Sequence, residues 1–312
     1  MRQGLASSTI FSLAADFPAA EPLALGHADL DAATLTGERI ALPCSLRKLN
    51  AAGATLHHDA ALTEGDALSL TLASGQSIPG TIAWTTGETA GFVFDAPIDV
   101  VGTVARTLAS LPAERRQMPR IELHQTVSVH HKGAIEFTRS RNLSQGGASV
   151  ESRRLLLPED PVQISFDGLR PIDGTIKWAS DGQAGIEFDE PLPWQILMPW
   201  LRQVQQTPAH PIRSGAFPVP GLIPDAHAIQ LDAPARVREG VRWWNVRLRG
   251  LTSQLVEFES RAPLTQGTPL WIALPHIGGA PASVLETDQH RYLCEFRLPL
   301  RPGELSLISS GA

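Results

Sequence analysis

Along much of the chain, apolar and polar residues alternate with a period of two. TVSVHH (126–131), PVQISFDG (161–168), GTIKW (174–178) and AGIEF (184–188) place hydrophobic side chains on one face and polar ones on the other. Gly, Asp, Pro and Ser bound each run. Successive residues of an extended strand point to opposite faces, so these runs predict half-buried β-strands. Recurring roughly every 8 to 14 residues, they predict a small antiparallel barrel or sandwich. Two stretches carry helical spacing instead: PIDVVGTVARTLASL (97–111) and PLPWQILMPWLRQVQQ (191–206). Each predicts a helix packed on a barrel, and Pro199 limits how much of the second can be one straight helix.

The strand pattern repeats. GTIAWTTGETAGFVFDAP (80–97) lies on GTIKWASDGQAGIEFDEP (174–191) at a shift of 94 with no gap. Gly80, Thr81, Ile82 and Trp84 fall on Gly174, Thr175, Ile176 and Trp178. Gly91, Phe94, Asp95 and Pro97 fall on Gly185, Phe188, Asp189 and Pro191. The same shift lays KLNAAGATL (48–56) on NLSQGGASV (142–150). A weaker third copy follows at a shift of 108, with GLTSQLVEF (250–258) on NLSQGGASV and SVLETDQHRYLCEF (283–296) on TIKWASDGQAGIEF. Its apolar positions persist, Val284 on Ile176 and Phe296 on Phe188, while the glycines do not. The expectation is a mainly β chain of three tandem small six-stranded antiparallel barrels, at least two of them followed by a C-terminal helix. Domains are expected at 1–106, 107–207 and 208–312. Linkers fall near 106–114 and in the Pro-rich TPAHPIRSGAFPVPGLIPD (207–225).

Composition narrows the function. The 312 residues are 43% hydrophobic and 19% charged, as in globular chains, and carry a formal net charge of −6. That balance argues against general DNA or RNA binding, which favours a basic face. Only Cys44 and Cys294 occur, far apart and in no metal-ligand spacing, so neither a disulfide framework nor a metal site is expected. The N-terminal apolar run is too weak for a signal peptide and too short to span a bilayer, which predicts a cytoplasmic protein. There is no G-x-S-x-G, P-loop or ligand cluster, so no enzyme is expected. His57-His58 and His130-His131 read as strand surface, because neighbours on a strand face opposite ways. Trp84 and Trp178 read as core. One of Trp243 and Trp244 should face outward on a strand, or the pair sits at a buried barrel end.

Against the acidic background, Arg115, Arg116 and Arg120 gather in ERRQMPR (114–120), just before the first strand of the second copy. Some twenty residues later, Asn142, Ser144 and Gly147 stand in NLSQGG, between two strands. Arginine offers a flat, permanently charged fork of donors suited to phosphate and to stacking on bases. Asn and Ser can read a base edge, and glycine permits the tight turn. Together these parts describe a site for a guanine-containing phosphate ester.

RRQMPR, then NLSQGG, then GTIKWASDGQAGIEF resembles the PilZ family, bacterial receptor modules for cyclic di-GMP with an RxxxR motif, a D/N-x-S-x-x-G motif and a six-stranded antiparallel barrel. The resemblance with both motifs covers roughly 114–205. It implies that Arg116 and Arg120 bind ligand phosphates and lie on guanines, that Asn142 and Ser144 bond a guanine edge, and that Gly147 permits the turn. Arg115 would be an auxiliary contact. It further implies a non-enzymatic receptor with no cofactor besides its ligand, in which ordering of the arginine segment changes domain arrangement or partner binding, with motility, adhesion, polysaccharide or biofilm output. The first copy departs from the motif with Lys48 and Asn50 at the Asn142 and Ser144 positions, and no RxxxR precedes it. The third has Gly250, Thr252 and Leu255. These copies are expected to be degenerate PilZ-like barrels that pack, form a homodimer or contact an unknown protein partner. The alternative is an adaptor built of such modules that binds no nucleotide.

Overall fold

In the strand Pro161–Phe166, Val162, Ile164 and Phe166 are buried and the residues between them are not. Its alternating sequence is the cause, since one face meets a core and the other does not. The computed structural model describes residues 10–13, 32–37, 41–110, 119–205, 223, 228–275 and 277–310. Its strands are β1 (Ile10–Ser12), β2 (Ala32–Thr36), β3 (Ala41–Leu49), β4 (Gly53–His58), β5 (Ala67–Leu72), β6 (Ser77–Thr86), β7 (Thr89–Phe94), β8 (Ile121–Glu122), β9 (Thr126–His131) and β10 (Ala134–Leu143). They continue as β11 (Gly147–Glu151), β12 (Pro161–Phe166), β13 (Ile172–Ser180), β14 (Gln183–Phe188), β15 (Ile229–Glu239), β16 (Arg242–Leu251), β17 (Leu255–Glu259), β18 (Pro269–Leu274), β19 (Gly278–Asp288) and β20 (Arg291–Phe296). The helices are α1 (Val100–Ser110), α2 (Trp194–Gln205) and α3 (Pro302–Ser310).

Strands β15 to β20 close into a barrel in the order β15-β16-β17-β20-β19-β18. The others form one sheet in which β3-β2-β5-β6-β7-β4 returns on itself through a β3–β4 pairing, and β10-β9-β12-β13-β14-β11 through a β10–β11 pairing. Two compact units divide the chain, one of residues 1–124, 140–150 and 185–205, the other of 125–139, 151–184 and 206–312. In the first unit, short β1 runs parallel to both β3 and β8, and β8 pairs antiparallel with β10.

The sequence repeat recurs in the backbone hydrogen bonds. Asn50 N–H donates to the Gly53 carbonyl at 3.0 Å, Ser144 to Gly147 at 2.9 Å and Thr252 to Leu255 at 2.8 Å. Phe94 donates to Ala52, Phe188 to Gly146 and Phe296 to Gln254, again at shifts of 94 and 108. A register shift falls in each copy just before this turn, at Arg47, Arg141 and Arg249. Main-chain bonds need no particular side chain, so the third copy keeps the geometry after losing the glycines.

Helix α1 starts where Asp99 Oδ1 accepts the Gly102 N–H at 2.9 Å, an N-cap. It buries Val100, Val101, Val104 and Leu108. Helix α2 runs continuously through Pro199. The ring's missing N–H leaves the Gln195 carbonyl without its intrahelical donor, yet the buried Leu197, Met198, Trp200 and Leu201 hold the helix in place. In the β15–β20 barrel, Phe258 and Tyr292 stack at 5.5 Å, and the Tyr292 hydroxyl donates to the Ala262 carbonyl. Cys44 and Cys294 are both buried free thiols, pushed by desolvation to about 11 and about 12.

The tryptophans need a correction. Trp84 and Trp178 are half-buried, not core. A register shift between Ile82 and Trp84 turns Trp84 off the inward face. Its indole lies over Gly91, where an added Cβ would come within 2.1 Å of Nε1. Trp243 is 41% exposed, with the Arg236 and Arg238 guanidiniums 4.9 and 5.4 Å from its ring centroid.

Candidate functional site

The site is assembled on β8, the end of β10 from Ser140 onward and the turn into β11, whose residues 120–122 and 140–147 lie within the first unit. Asn142 pairs with Glu122 and Leu143 with Ile121 in antiparallel register. Continued by one residue, that register brings Arg120 across from Ser144. Residues directly opposite on antiparallel strands share a face, and the face alternates along each strand. Ile121, Leu123 and Leu143, each 1% exposed, therefore point into the core. Arg120, Glu122, Asn142 and Ser144 share the other face, and all four are half-buried. The buried leucines and isoleucine thus aim the polar residues outward.

The turn that follows is tight. Ser144 Oγ donates to the Gly147 carbonyl at 3.2 Å, beside the main-chain bond between the same residues. A Cβ on Gly147 would stand 2.4 Å from the Ile186 carbonyl oxygen, which only glycine avoids. The Gln145 side-chain amide donates to Leu192 O at 3.1 Å, and Gln145 O accepts from Leu192 N at 2.8 Å, locking the turn to the segment before α2.

The equivalent turns of the other copies are filled from within. Asn50, fully buried, accepts from the Ala52 and Gly53 amides through Oδ1 at 2.9 and 2.8 Å. Thr252 Oγ1 accepts from Gln254 and Leu255 at 3.2 and 2.9 Å. Ser144 makes no such bond to the Gly146 or Gly147 amide among the described residues. Arg115 and Arg116 lie outside the described residues. Among the described residues, Arg120, Asn142 and Ser144 lie near one another, with Gly147 in the adjoining turn.

Sequence reasoning missed Glu122. Its carboxylate stands 2.8 Å from Lys48 Nζ and 3.5 Å from His124 Nε2, and it also bonds Ser12. Burial alone would raise its pKa, but the bonds from His124, Lys48 and Ser12 outweigh burial and lower it to about 2. A carboxyl held below its free range adds stability that is complete above about pH 4.5 and is lost as pH falls toward 2. A shift of that size corresponds to on the order of 3 kcal/mol. Urea denaturation at pH 6 and pH 3 should therefore show the wild type losing more stability than Glu122→Gln. An equal loss in both would contradict the assignment. The sequence signal was available: Lys48 occupies the position of Asn142 in the first copy.

Elsewhere, His57, Asp59 and Glu88 bring ligand atoms within 4.8 Å of one another, with His57 Nε2 bonded to Glu88 at 3.2 Å. Asp59 and Glu88 are exposed, and an ordinary surface hydrogen bond between His57 and Glu88 accounts for the arrangement. His131 bonds Asp160 at 2.9 Å in the same way.

No curated protein matches the chain. Among solved structures it is similar to the PlzA protein of Borreliella burgdorferi in complex with c-di-GMP, at 11% identity over 67% of this chain and 99% of that one, TM-score 0.23. It is also similar to the Bacillus subtilis inhibitor of motility MotI/DgrA, at 12% identity over 58% and 100%, TM-score 0.24. A third likeness is to Escherichia coli YcgR in complex with c-di-GMP, at 10% identity over 60% and 81%, TM-score 0.22. Scores this low carry no argument about this chain. The family model described as PilZ domain, by contrast, matches residues 114–195, which span the arginine segment, the Asn142–Gly147 turn and strands β8 to β14. The likeness to the PilZ domain family therefore rests on residues 114–195.

Proposed function

We propose that the PilZ domain binds cyclic di-GMP and that the chain is a non-enzymatic receptor for it. The observation that carries this reading is the β8–β10 register, which sets Arg120, Asn142 and Ser144 on one face beside the Gly147 turn. Asn142 and Ser144 read the guanine edge. Arg120 and Arg116 take the phosphates and lie over the bases, with Arg115 as an auxiliary contact. Micromolar affinity corresponds to about −8 kcal/mol. A few charge-assisted bonds at about 1.5–3 kcal/mol each supply that, even after an arginine segment is ordered.

The flanking copies, 1–106 and 208–312, act in this proposal as degenerate PilZ-like modules around a receptor domain at 107–207. Their motif turns are satisfied internally, which leaves them the role of contacting a protein partner or a second copy of the chain. Ordering of the arginine segment on binding changes what they present, with output in motility, adhesion or polysaccharide production. No helix among the described residues is long and apolar enough to cross a membrane. The absence of a disulfide framework suits a cytoplasmic location.

The experiment is equilibrium dialysis of the full chain against cyclic di-GMP and cyclic di-AMP in parallel. Guanine-edge reading predicts retention of the first and not the second. Equal retention of both would remove Asn142 and Ser144 from their assigned role, and retention of neither would remove the nucleotide.

A further inference from the structure

The residue that replaces Asn142 in the first copy is Lys48, and it does not point into a vacated site of its own. It reaches Glu122, in the PilZ domain's own β8, at 2.8 Å. Glu122 is the register partner of Asn142 and stands two residues after Arg120, so its carboxylate lies on the same face as both. A bare carboxylate there would repel an anionic ligand and compete for the Arg120 guanidinium. The contact is built rather than incidental. β1 pairs with β3 through Ile10↔Lys48 and Phe11↔Leu49, and with β8 through Phe11↔Ile121 and Ser12↔Glu122, so one three-residue strand delivers Lys48 to Glu122. Phe11, Leu49 and Ile121 are all at most 1% exposed beneath it. Lys48 and Glu122 side chains are 27% and 21% exposed, which limits screening by solvent.

We propose that Lys48 is a positioning residue for the nucleotide site: by pairing with Glu122 it neutralises the carboxylate beside Asn142 and keeps the Arg120 strand in register. The first copy has lost the ligand-reading residue of its own motif and uses that position to support the site of the next copy. This inference rests on the cyclic di-GMP reading given above for its ligand, but not for the pair itself. The groups that face Glu122 are the Lys48 ammonium, the His124 imidazole and the Ser12 hydroxyl.

The test is a calorimetric cycle with cyclic di-GMP at low and high salt on the wild type, Lys48→Met, Glu122→Gln and the double variant. A unit charge unmasked within one Debye length of two phosphates should weaken binding by about tenfold in Lys48→Met at low salt, less at high salt. Glu122→Gln should bind at least as tightly as wild type, and in the double variant it should restore what Lys48→Met lost. If the pair served packing alone, Glu122→Gln would be as harmful as Lys48→Met and the double no better; that result, or wild-type affinity in Lys48→Met, overturns the proposal. Hydrogen exchange of the Leu123 amide, which donates to the Arg141 carbonyl at 3.2 Å, gives a ligand-free reading of the same contact. Lys48→Met should speed that exchange severalfold. Unchanged exchange refutes the pair even if the wild type binds no nucleotide, whereas faster exchange with no nucleotide binding refutes only the ligand.

Discussion

Arg120→Ala is expected to abolish measurable binding of cyclic di-GMP while shifting the melting temperature by no more than about 2 °C. Arg120 is half-buried just before β8, and the register with β10 is carried by Ile121 and Glu122, not by Arg120. Substitutions at such positions usually change stability by about 0.5 kcal/mol or less. The guanidinium, by contrast, supplies phosphate bonds worth about 1.5–3 kcal/mol each, plus stacking on a base. Losing two such bonds from a micromolar complex moves it into the millimolar range. Arg116→Ala should behave alike. Arg120→Lys should recover only a small part, since an ammonium keeps the charge and loses the planar fork. Calorimetry and thermal melting on the same samples check both halves. Wild-type affinity in Arg120→Ala would remove the arginine from the site.

The largest stability effect is expected at Arg139. This residue lies on β10 three positions before Asn142, and its side chain is 6% exposed. In the second unit its Nε and Nη2 donate to the two carboxylate oxygens of Glu304, at 2.9 and 2.7 Å, and Nη2 also donates to the Pro299 carbonyl at 2.9 Å. Glu304 in turn accepts the Arg301 N–H at 2.7 Å at the start of α3. A buried pair need not stabilise relative to apolar residues, but removing one partner strands a charge away from water. Glu304→Ala should therefore cost about 3–5 kcal/mol in urea denaturation. Replacing both partners, Arg139→Met with Glu304→Leu, should cost much less. A single variant no worse than the double would contradict the assignment of a stranded charge.

Much of this architecture was legible in the sequence because the determining features are local. Val162, Ile164 and Phe166 alternate with polar residues, and that alone makes β12. The repeat shifts of 94 and 108 recur in the backbone bonds around Asn50, Ser144 and Thr252. The nearness of Arg120 to Asn142 and Ser144 follows from spacing, since a strand register converts spacing into a shared face. What escaped was non-local. Glu122 looked like one acidic residue among many, and only the three-residue β1 places it against Lys48. Trp84 read as core from its recurrence, but a register shift at the preceding position turned it outward. The Arg139–Glu304 pair joins positions 165 residues apart, beyond the reach of any periodicity.

The central claim is that residues 114–195 form a working nucleotide receptor rather than a relic of one. Isothermal titration of the full chain with cyclic di-GMP tests it directly. The account predicts saturable binding with a dissociation constant in the micromolar range, about −8 kcal/mol, abolished in Arg120→Ala. No heat and no thermal shift at ligand concentrations of some tens of micromolar, about tenfold above that range, would contradict it.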